Sequence, residues 1–331
     1  MVKKRVLAGM RASGRLHVGN YLGGARGMVA LQEDPGYETL YMVADLHAIT
    51  TPYDKKSLAG DARNVIVDYL SVGLDPEKST IFIQSHVAEV TELAYYFSSV
   101  VSVARMSRLP TYKEKLRNQP LSSSMALLSY PVLMAADILM YKAHLVPVGI
   151  DQEPHLEVAR EIVKKMNAQY GTNFPEPNRF KTEGEYVPSL TGVGKMSKSV
   201  AGSAISLGDD LDTIRERLLK VPTDEGKGES IPETGGVASL LTLVGLFQGE
   251  ERRSQYERDY TAEGVKYGSL KEELAAVIYD ELRPIQERRK ELLEKPGYID
   301  NVIREGAEIA HIEAQKTLEE VRERMGIKSK T

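Results

Sequence analysis

The chain reads as an α/β protein: a doubly wound parallel sheet over residues 1–203, followed by an all-helical domain over residues 204–331. Three observations lead there. In the first half, short apolar runs rich in β-branched residues alternate with amphipathic stretches. A glycine-bearing turn follows the first run and opens a helix, an arrangement that aims backbone N–H groups at an anion. After Leu207 the strand-like runs cease and helical periodicity continues to the end.

The strand-like runs are residues 5–10, 39–43, Ser79–Ile83 and 145–148. Their composition suits a pleated, buried surface. Between them, residues 21–32, 55–72 and 90–103 carry apolar side chains at helical spacing. Residues 129–139 form a further apolar helical stretch with one carboxylate, Asp137, inside it. Ligands of an open parallel sheet bind beyond the carboxyl ends of its strands, where His17, Asp45, His47 and Gln84 fall. In the second part, residues 209–219, 237–247, 250–260, 269–293 and 299–325 read as helices. Turns such as Gly226-Lys227-Gly228 and Lys295-Pro296-Gly297 separate them. In the last helix Val302, Ile303, Gly306, Ala310, Leu318 and Val321 share a face.

Composition bounds the function. With 331 residues, 42% of them hydrophobic, the chain can bury two cores of unequal size. A formal charge of −4 speaks against a generally basic nucleic-acid coat but leaves room for a local cationic patch. There is no cysteine, so no disulfide, no zinc thiolate site and no cysteine-held iron–sulfur cluster can form. Histidines and acids show no metal-ligand spacing such as His-Glu-x-x-His. The basic start, Met1-Val2-Lys3-Lys4-Arg5, precedes an apolar run that ends at Arg11, too short for a signal peptide. No run approaches the ~20 apolar residues of a membrane span. A cytoplasmic location and no membrane partner are expected.

Two short strings carry the chemistry. His17-Val18-Gly19-Asn20 is reached through Ser13 and Gly14 and opens a helix. Lys195-Met196-Ser197-Lys198-Ser199 follows the glycine-flanked Thr191-Gly192-Val193-Gly194 and offers two cations three residues apart, suited to a triphosphate. If both serve one nucleotide, Gly19 and Met196 must lie together in the fold. Asp137 has two readings: a capped or ion-paired structural acid, or a carboxylate kept for a ligand's donor. Val146-Pro147-Val148-Gly149-Ile150-Asp151-Gln152-Glu153-Pro154-His155 is a strand ending in glycine and a polar cluster. His86 reads as a satisfied polar residue at a strand end, and His144 and His311 carry no signal. Gly192-x-Gly194-Lys195 lacks the full glycine spacing of a P-loop, and Lys113-Glu114-Lys115-Leu116-Arg117 by itself reads as a solvated face.

The two strings resemble the signature sequences of class I aminoacyl-tRNA synthetases, which activate an amino acid with ATP. Tyr130 to Leu139, then Val148-Gly149-x-Asp151-Gln152-x-x-His155-x-Glu157, resembles the bacterial tryptophanyl family rather than its tyrosyl relative. The resemblance extends to Leu282-Arg283-Pro284-Ile285-Gln286-Glu287-Arg288 and the closing helix. It implies a Rossmann-like catalytic domain, with the helical domain reading the tRNA anticodon.

The resemblance also implies roles. Asp137 matches the acid that accepts the indole N–H; Met134, Val146 and Val148 match the indole pocket; Tyr130 and Gln152 match the holders of the ammonium. His47 matches a residue near the substrate, and Leu7 stands where many relatives carry an aromatic residue, so simple apolar contact is expected there. His17, Gly19 and Asn20 with Lys195, Met196, Ser197 and Lys198 match the ATP contacts, joined by Arg11, Ser13, Gly149 and Asp151. Lys195, Lys198 and Lys115 match the lysines that act on the phosphates. Arg11 replaces a glutamine common in the family, and Ala12 the usual proline.

The expected activity is ligation of L-tryptophan to tRNA(Trp) through a tryptophanyl-adenylate, with Mg²⁺ held mainly by the phosphates of ATP. No general base is needed, because the attacking carboxylate is already ionised. The partners implied are L-tryptophan, ATP, tRNA(Trp) and a second copy of the chain in a homodimer. Three alternatives stand beside this: a tyrosyl enzyme, another nucleotidyltransferase with a His-x-Gly-[His/Asn] turn, and a non-enzymatic paralogue that binds tryptophan or tRNA.

Overall fold

A computed structural model describes residues 3–118, 124–181, 186–198 and 200–327. Met1 and Val2 of the basic start, and Ser199 of the second string, lie outside these described residues. The chain divides into two compact units. One comprises Met1–Gly14, Met28–Thr182 and Lys295–Thr331; the other comprises Arg15–Gly27 and Glu183–Glu294.

In the first unit, β1 (Lys4–Arg11), β2 (Tyr37–Ala44), β3 (Ser79–Ile83), β4 (Leu145–Pro147) and β5 (Asn178–Phe180) form one parallel sheet in the order β3-β2-β1-β4-β5. The order reverses between β1 and β4, the point at which such sheets bind ligands. Register sets Gly9 opposite Met42 and Arg11 opposite Ala44. β1 to β4 fall where the apolar runs predict them. β5, Asn-Arg-Phe, is too short to show any alternation in the sequence.

The helical run expected from residue 21 starts earlier and is not uniform. α1 (Val18–Asn20) leads into a single π turn over Tyr21–Ala25, and α2 (Arg26–Glu33) follows. In that turn the Arg26 N–H bonds back to the Tyr21 carbonyl. The Gly23-Gly24 pair inside it weakens ordinary helical geometry, and such turns cluster at functional sites. The sheet unit continues with α3 (Asp45–Ala48), α4 (Leu58–Val72), α5 (Glu89–Ser98), α6 (Val103–Ser107), α7 (Pro110–Asn118), α8 (Met125–Met140) and α9 (Glu153–Tyr170). Ser124 caps α8 by accepting from the Leu127 N–H at 3.1 Å.

The second unit holds α10 (Leu211–Leu219), α11 (Gly235–Gln248), α12 (Glu250–Thr261) and α13 (Tyr267–Leu293). Asp210 caps α10 through the Thr213 N–H at 2.8 Å. At the other end of α10, the buried Lys271 ammonium donates to the carbonyls of Leu219 (3.1 Å) and Val221 (2.9 Å), a cation placed on a helix C-terminus.

These units do not follow the linear split expected at residues 203 and 204. The last helix, α14 (Pro296–Arg324), packs on β3 and α5 inside the sheet unit. Ala310, Ala314, Leu318 and Val321 join the hydrophobic core of Leu93, Phe97 and Ile138. Gly306 makes the approach possible, since a Cβ there would stand 1.8 Å from the Ile81 carbonyl oxygen. Arg5–Glu313 (2.9 Å), Lys142–Glu320 (2.7 Å) and Arg322–Glu92 (2.6 Å) pin the helix along its length. An apolar stripe announces a helix that packs; it carries no information on what it packs against.

Candidate active site

A cavity of about 350 Å³ opens at the carboxyl ends of β1, β2 and β4. Alternate residues of each strand share one face, so Leu7, Gly9 and Arg11, then Met42 and Ala44, then Val146 with Val148 just past the end of β4, line it together. Gly9 keeps the floor open: a Cβ there would lie 3.1 Å from Met42 Cε. Helix α8 forms another wall, presenting Tyr130, Met134, Asp137 and Ile138 at positions i, i+4, i+7 and i+8. Helix α7 adds Thr111 and Lys115, also four apart.

Asp137 is 2% exposed, and both its oxygens are held. His47 Nε2 lies 2.8 Å from Oδ2 and Gln84 Nε2 donates to Oδ1 at 2.8 Å. Gln84, 1% exposed, is itself oriented by accepting the Leu46 N–H at 3.1 Å through Oε1. The first of the two readings of Asp137 is what the hydrogen bonds show. It is tied structurally, yet two carboxylate oxygens offer about four acceptor positions, and here each takes one donor. Acceptor capacity remains in a carboxylate that shares its part of the cavity with the apolar Leu7, Met42, Met134 and Val146.

At the other end stands a hydroxyl–imidazole–amide cluster. Tyr130 Oη is 2.8 Å and Thr111 Oγ1 2.9 Å from His155 Nε2, and the two hydroxyls are 2.9 Å apart. His155 Nδ1 is 3.0 Å from Gln152 Oε1, and Gln152 Nε2 donates to Asp151 at 2.6 Å. Burial, with Lys115 adding to it, pushes His155 down to about 4, so the ring is neutral at pH 7. Burial first, and Arg11 second, also lower Lys115, whose ammonium sits 5.0 Å over the Tyr130 ring. Acceptors and cations thus share one cavity, which suits a zwitterion.

In the second unit the two signature strings lie together. His17 and Asn20 form a reciprocal cap: Asn20 N–H donates to His17 Nδ1 (3.3 Å) and His17 N–H to Asn20 Oδ1 (3.2 Å). Nδ1 accepts, so the ring proton is on Nε2. Residues 16–18 pair antiparallel with 205–207 through Val18 N–H to Ile205 O (2.9 Å) and Leu207 N–H to Leu16 O (3.0 Å). A Cβ on Gly19 would stand 2.9 Å from the His17 ring and 3.2 Å from Met196 Cβ, so glycine is what admits the second string.

Met196 is buried while Lys195 and Lys198 stay exposed. The loop is stapled by Met196 N–H to Val187 O (2.9 Å) and Ser197 N–H to Ser203 Oγ (3.0 Å). At its shoulder Gly192 adopts φ +80°, and a Cβ there would lie 2.6 Å from the Gly236 N at the start of α11. His17 is 7% exposed, and burial, followed by Lys198 and Lys195, brings it down to about 4. It is a neutral donor in a cationic field, a set of groups complementary to phosphate oxygens.

The structure brings Leu7, His47, Tyr130, Met134, Asp137, Val146, Val148 and Gln152 to one cavity. Arg11 and Lys115, matched from the sequence to phosphate work, line that same cavity. Gly149 and Asp151 do not line it: Gly149 precedes the 3-10 turn Ile150–Gln152, and Asp151 is exposed and held by Gln152. Ser13 turns the chain after β1, its N–H bonded to Arg11 O at 2.8 Å. Sequence reasoning left Gln84, Thr111 and His155 without a role. Their signal is positional, since each reaches Asp137 or Tyr130 from a different element. Among the described residues no group of three or more His, Asp or Glu is arranged to hold a metal ion, and no helix is long and apolar enough to cross a membrane.

Comparison with known proteins gives the same answer. Residues 2–282 match the family of tRNA synthetases class I (W and Y). A tryptophan–tRNA ligase from Caldanaerobacter subterraneus subsp. tengcongensis is 41% identical, with 98% of each chain covered. The tryptophanyl-tRNA synthetase of Campylobacter jejuni, solved with ADP and tryptophan, superposes with TM-score 0.82 at 33% identity, over 97% of this chain and 99% of that one. The Mycoplasma pneumoniae tryptophanyl-tRNA synthetase gives TM-score 0.86 at 28% identity, covering 99% of both chains. The chain belongs to the class I tRNA synthetases of the tryptophanyl and tyrosyl (W and Y) family.

Proposed function

We propose that the protein ligates L-tryptophan to tRNA(Trp) at the expense of ATP. The observation that carries the amino-acid assignment is Asp137: a buried carboxylate, braced by His47 and Gln84, facing apolar walls with acceptor capacity to spare. An indole N–H satisfies it. A phenyl ring leaves it short of a donor, at about 1–3 kcal/mol.

In the first step a tryptophan carboxylate oxygen bonds to the α-phosphorus of ATP, and the bond from that phosphorus to the bridging oxygen breaks, releasing pyrophosphate. Charge grows on the leaving group, and positioned cations stabilise it. Lys195 and Lys198 supply that charge, and His17 adds a neutral donor. Lys115 and Arg11 serve the carboxylate end of the substrate, and Tyr130 and Gln152 its ammonium. Mg²⁺ travels with the triphosphate, its ligands phosphate oxygens and water; the cationic and hydroxyl side chains of the signature cluster suit the phosphates rather than the metal. In the second step the 2′-hydroxyl of the terminal adenosine displaces AMP from the acyl carbon.

Helices between residues 211 and 293 receive the anticodon arm, through lysine and arginine contacts to phosphates. Two copies pair through the sheet unit, a reading supported by the exposed apolar side chains Tyr95, Val103 and Met125. The work is done on cytoplasmic tRNA. Pyrophosphate exchange with Trp, Tyr and Phe, followed by charging of total tRNA, tests this reading. Exchange and charging specific to tryptophan are expected, and preference for tyrosine would overturn the substrate assignment.

A further inference from the structure

We propose that His155 is a positioning residue for the substrate ammonium: its bare Nε2 draws in the hydroxyl hydrogens of Tyr130 and Thr111, so that the Tyr130 oxygen meets the cavity as an acceptor. The inference rests on the amino-acid reading of this cavity and follows from a chain of donors with one consistent direction. Asp151 only accepts, so the amide nitrogen of Gln152 faces it, at 2.6 Å, and Gln152 Oε1 is turned to His155. Oε1 also only accepts, so His155 Nδ1 carries the proton. A neutral imidazole has one proton, and Nε2 is left with a lone pair.

Two hydroxyls reach that lone pair, Tyr130 at 2.8 Å and Thr111 at 2.9 Å, and they are 2.9 Å from each other. One hydrogen lies on Nε2 and the other between the oxygens. In either arrangement the Tyr130 hydrogen is spent within the triangle, and at least one lone pair of Tyr130 Oη is left for the cavity. The same relay leaves the second lone pair of Gln152 Oε1 unused. Two oxygen acceptors, with no hydroxyl hydrogen aimed between them, fit an alkylammonium. His155 is 1% exposed, and its burial keeps the ring from taking the second proton that would reverse the relay.

The test separates ammonium from indole. Tryptophanol keeps the ammonium and lacks the carboxylate; indole-3-propionate keeps the carboxylate and lacks the ammonium. Dissociation constants for both are measured by calorimetry on the full-length protein, for wild type, His155→Phe and His155→Gln. We expect His155→Phe to weaken tryptophanol by about tenfold or more and to leave indole-3-propionate within about twofold. His155→Gln retains an acceptor and a donor and recovers most of the loss. In a Tyr130→Phe background, the further change His155→Phe has little added effect on tryptophanol. Equal weakening of both ligands, or losses that add fully in the double variant, would make His155 a packing residue and overturn the proposal. A wild type that binds neither ligand overturns the amino-acid reading itself, and this inference with it.

Discussion

Gly19 and Met196, 177 positions apart in sequence, are in direct contact: a single Cβ added at Gly19 would stand 3.2 Å from Met196 Cβ. That contact joins the two signature strings at one place. We expect Gly19→Ala to raise the KM for ATP about tenfold, as the new methyl displaces the His17 ring and Met196. Alanine gains about 1 kcal/mol of helix propensity at the same position, so the melting temperature stays near wild type. Initial rates of pyrophosphate exchange against ATP concentration check this.

Lys195 is exposed, and in the proposed reaction its charge acts on the leaving pyrophosphate in the transition state. Lys195→Ala is expected to slow activation about 100-fold at saturating ATP, an effect in the range of removing one positioned charge-stabilising donor. The thermal melt should not move. An unchanged activation rate would make the loop structural.

Asp137→Asn keeps the shape of the side chain and turns one acceptor into a donor that must face His47, Gln84 or the substrate. The Trp-over-Phe ratio of kcat/KM should fall about 100-fold, while the melting temperature drops by only a few degrees. Exchange assays with both amino acids decide it.

Burial lowers His17 and His155 to about 4, from an ordinary value of 6.5. Between those values the unfolded chain binds protons that the folded chain refuses, so stability falls as pH drops from 6.5 toward 4 and is unaffected above that window. Each histidine contributes a loss of about 2 kcal/mol between pH 7 and pH 5. Urea unfolding at the two pH values should show that loss reduced by about 2 kcal/mol in His155→Gln, which has nothing to titrate.

Gly306→Ala tests the seat of the closing helix. The added Cβ meets the Ile81 backbone oxygen at 1.8 Å, and the backbone of β3, hydrogen-bonded to β2 and covered by α14, cannot step aside cheaply. A cost of about 2 kcal/mol is expected, seen as a fall of about 4–8 °C in melting temperature. No change would mean that α14 is free to shift on β3.

Much of the candidate site was legible through the family resemblance, and spacing gives the physical reason its residues meet. Tyr130, Met134 and Asp137 fall on one face of α8 because helical periodicity puts them there, and Leu7, Gly9 and Arg11 share a side of β1 because strands alternate. Lys115 illustrates the limit. Its spacing from Thr111 places both on one side of α7, yet which cavity that side faces depends on how α7 packs, and the structure puts Lys115 over the Tyr130 ring. Gln84 at the ligand end of β3 and His155 in its polar cluster had a place but no role, for a related reason: each acts through a hydrogen bond to a residue on another element, Asp137 and Tyr130.

By itself, then, the sequence determined the first four strands, most of the helices between and after them and the two signature strings, all of which are local consequences of side-chain period and turn chemistry. Only the tertiary structure decided that α14 returns to the sheet unit, that His47 and Gln84 brace Asp137, and that Gly19 receives Met196. Those are pairings between residues distant along the chain, and they are set by packing and hydrogen-bond geometry that no local pattern encodes.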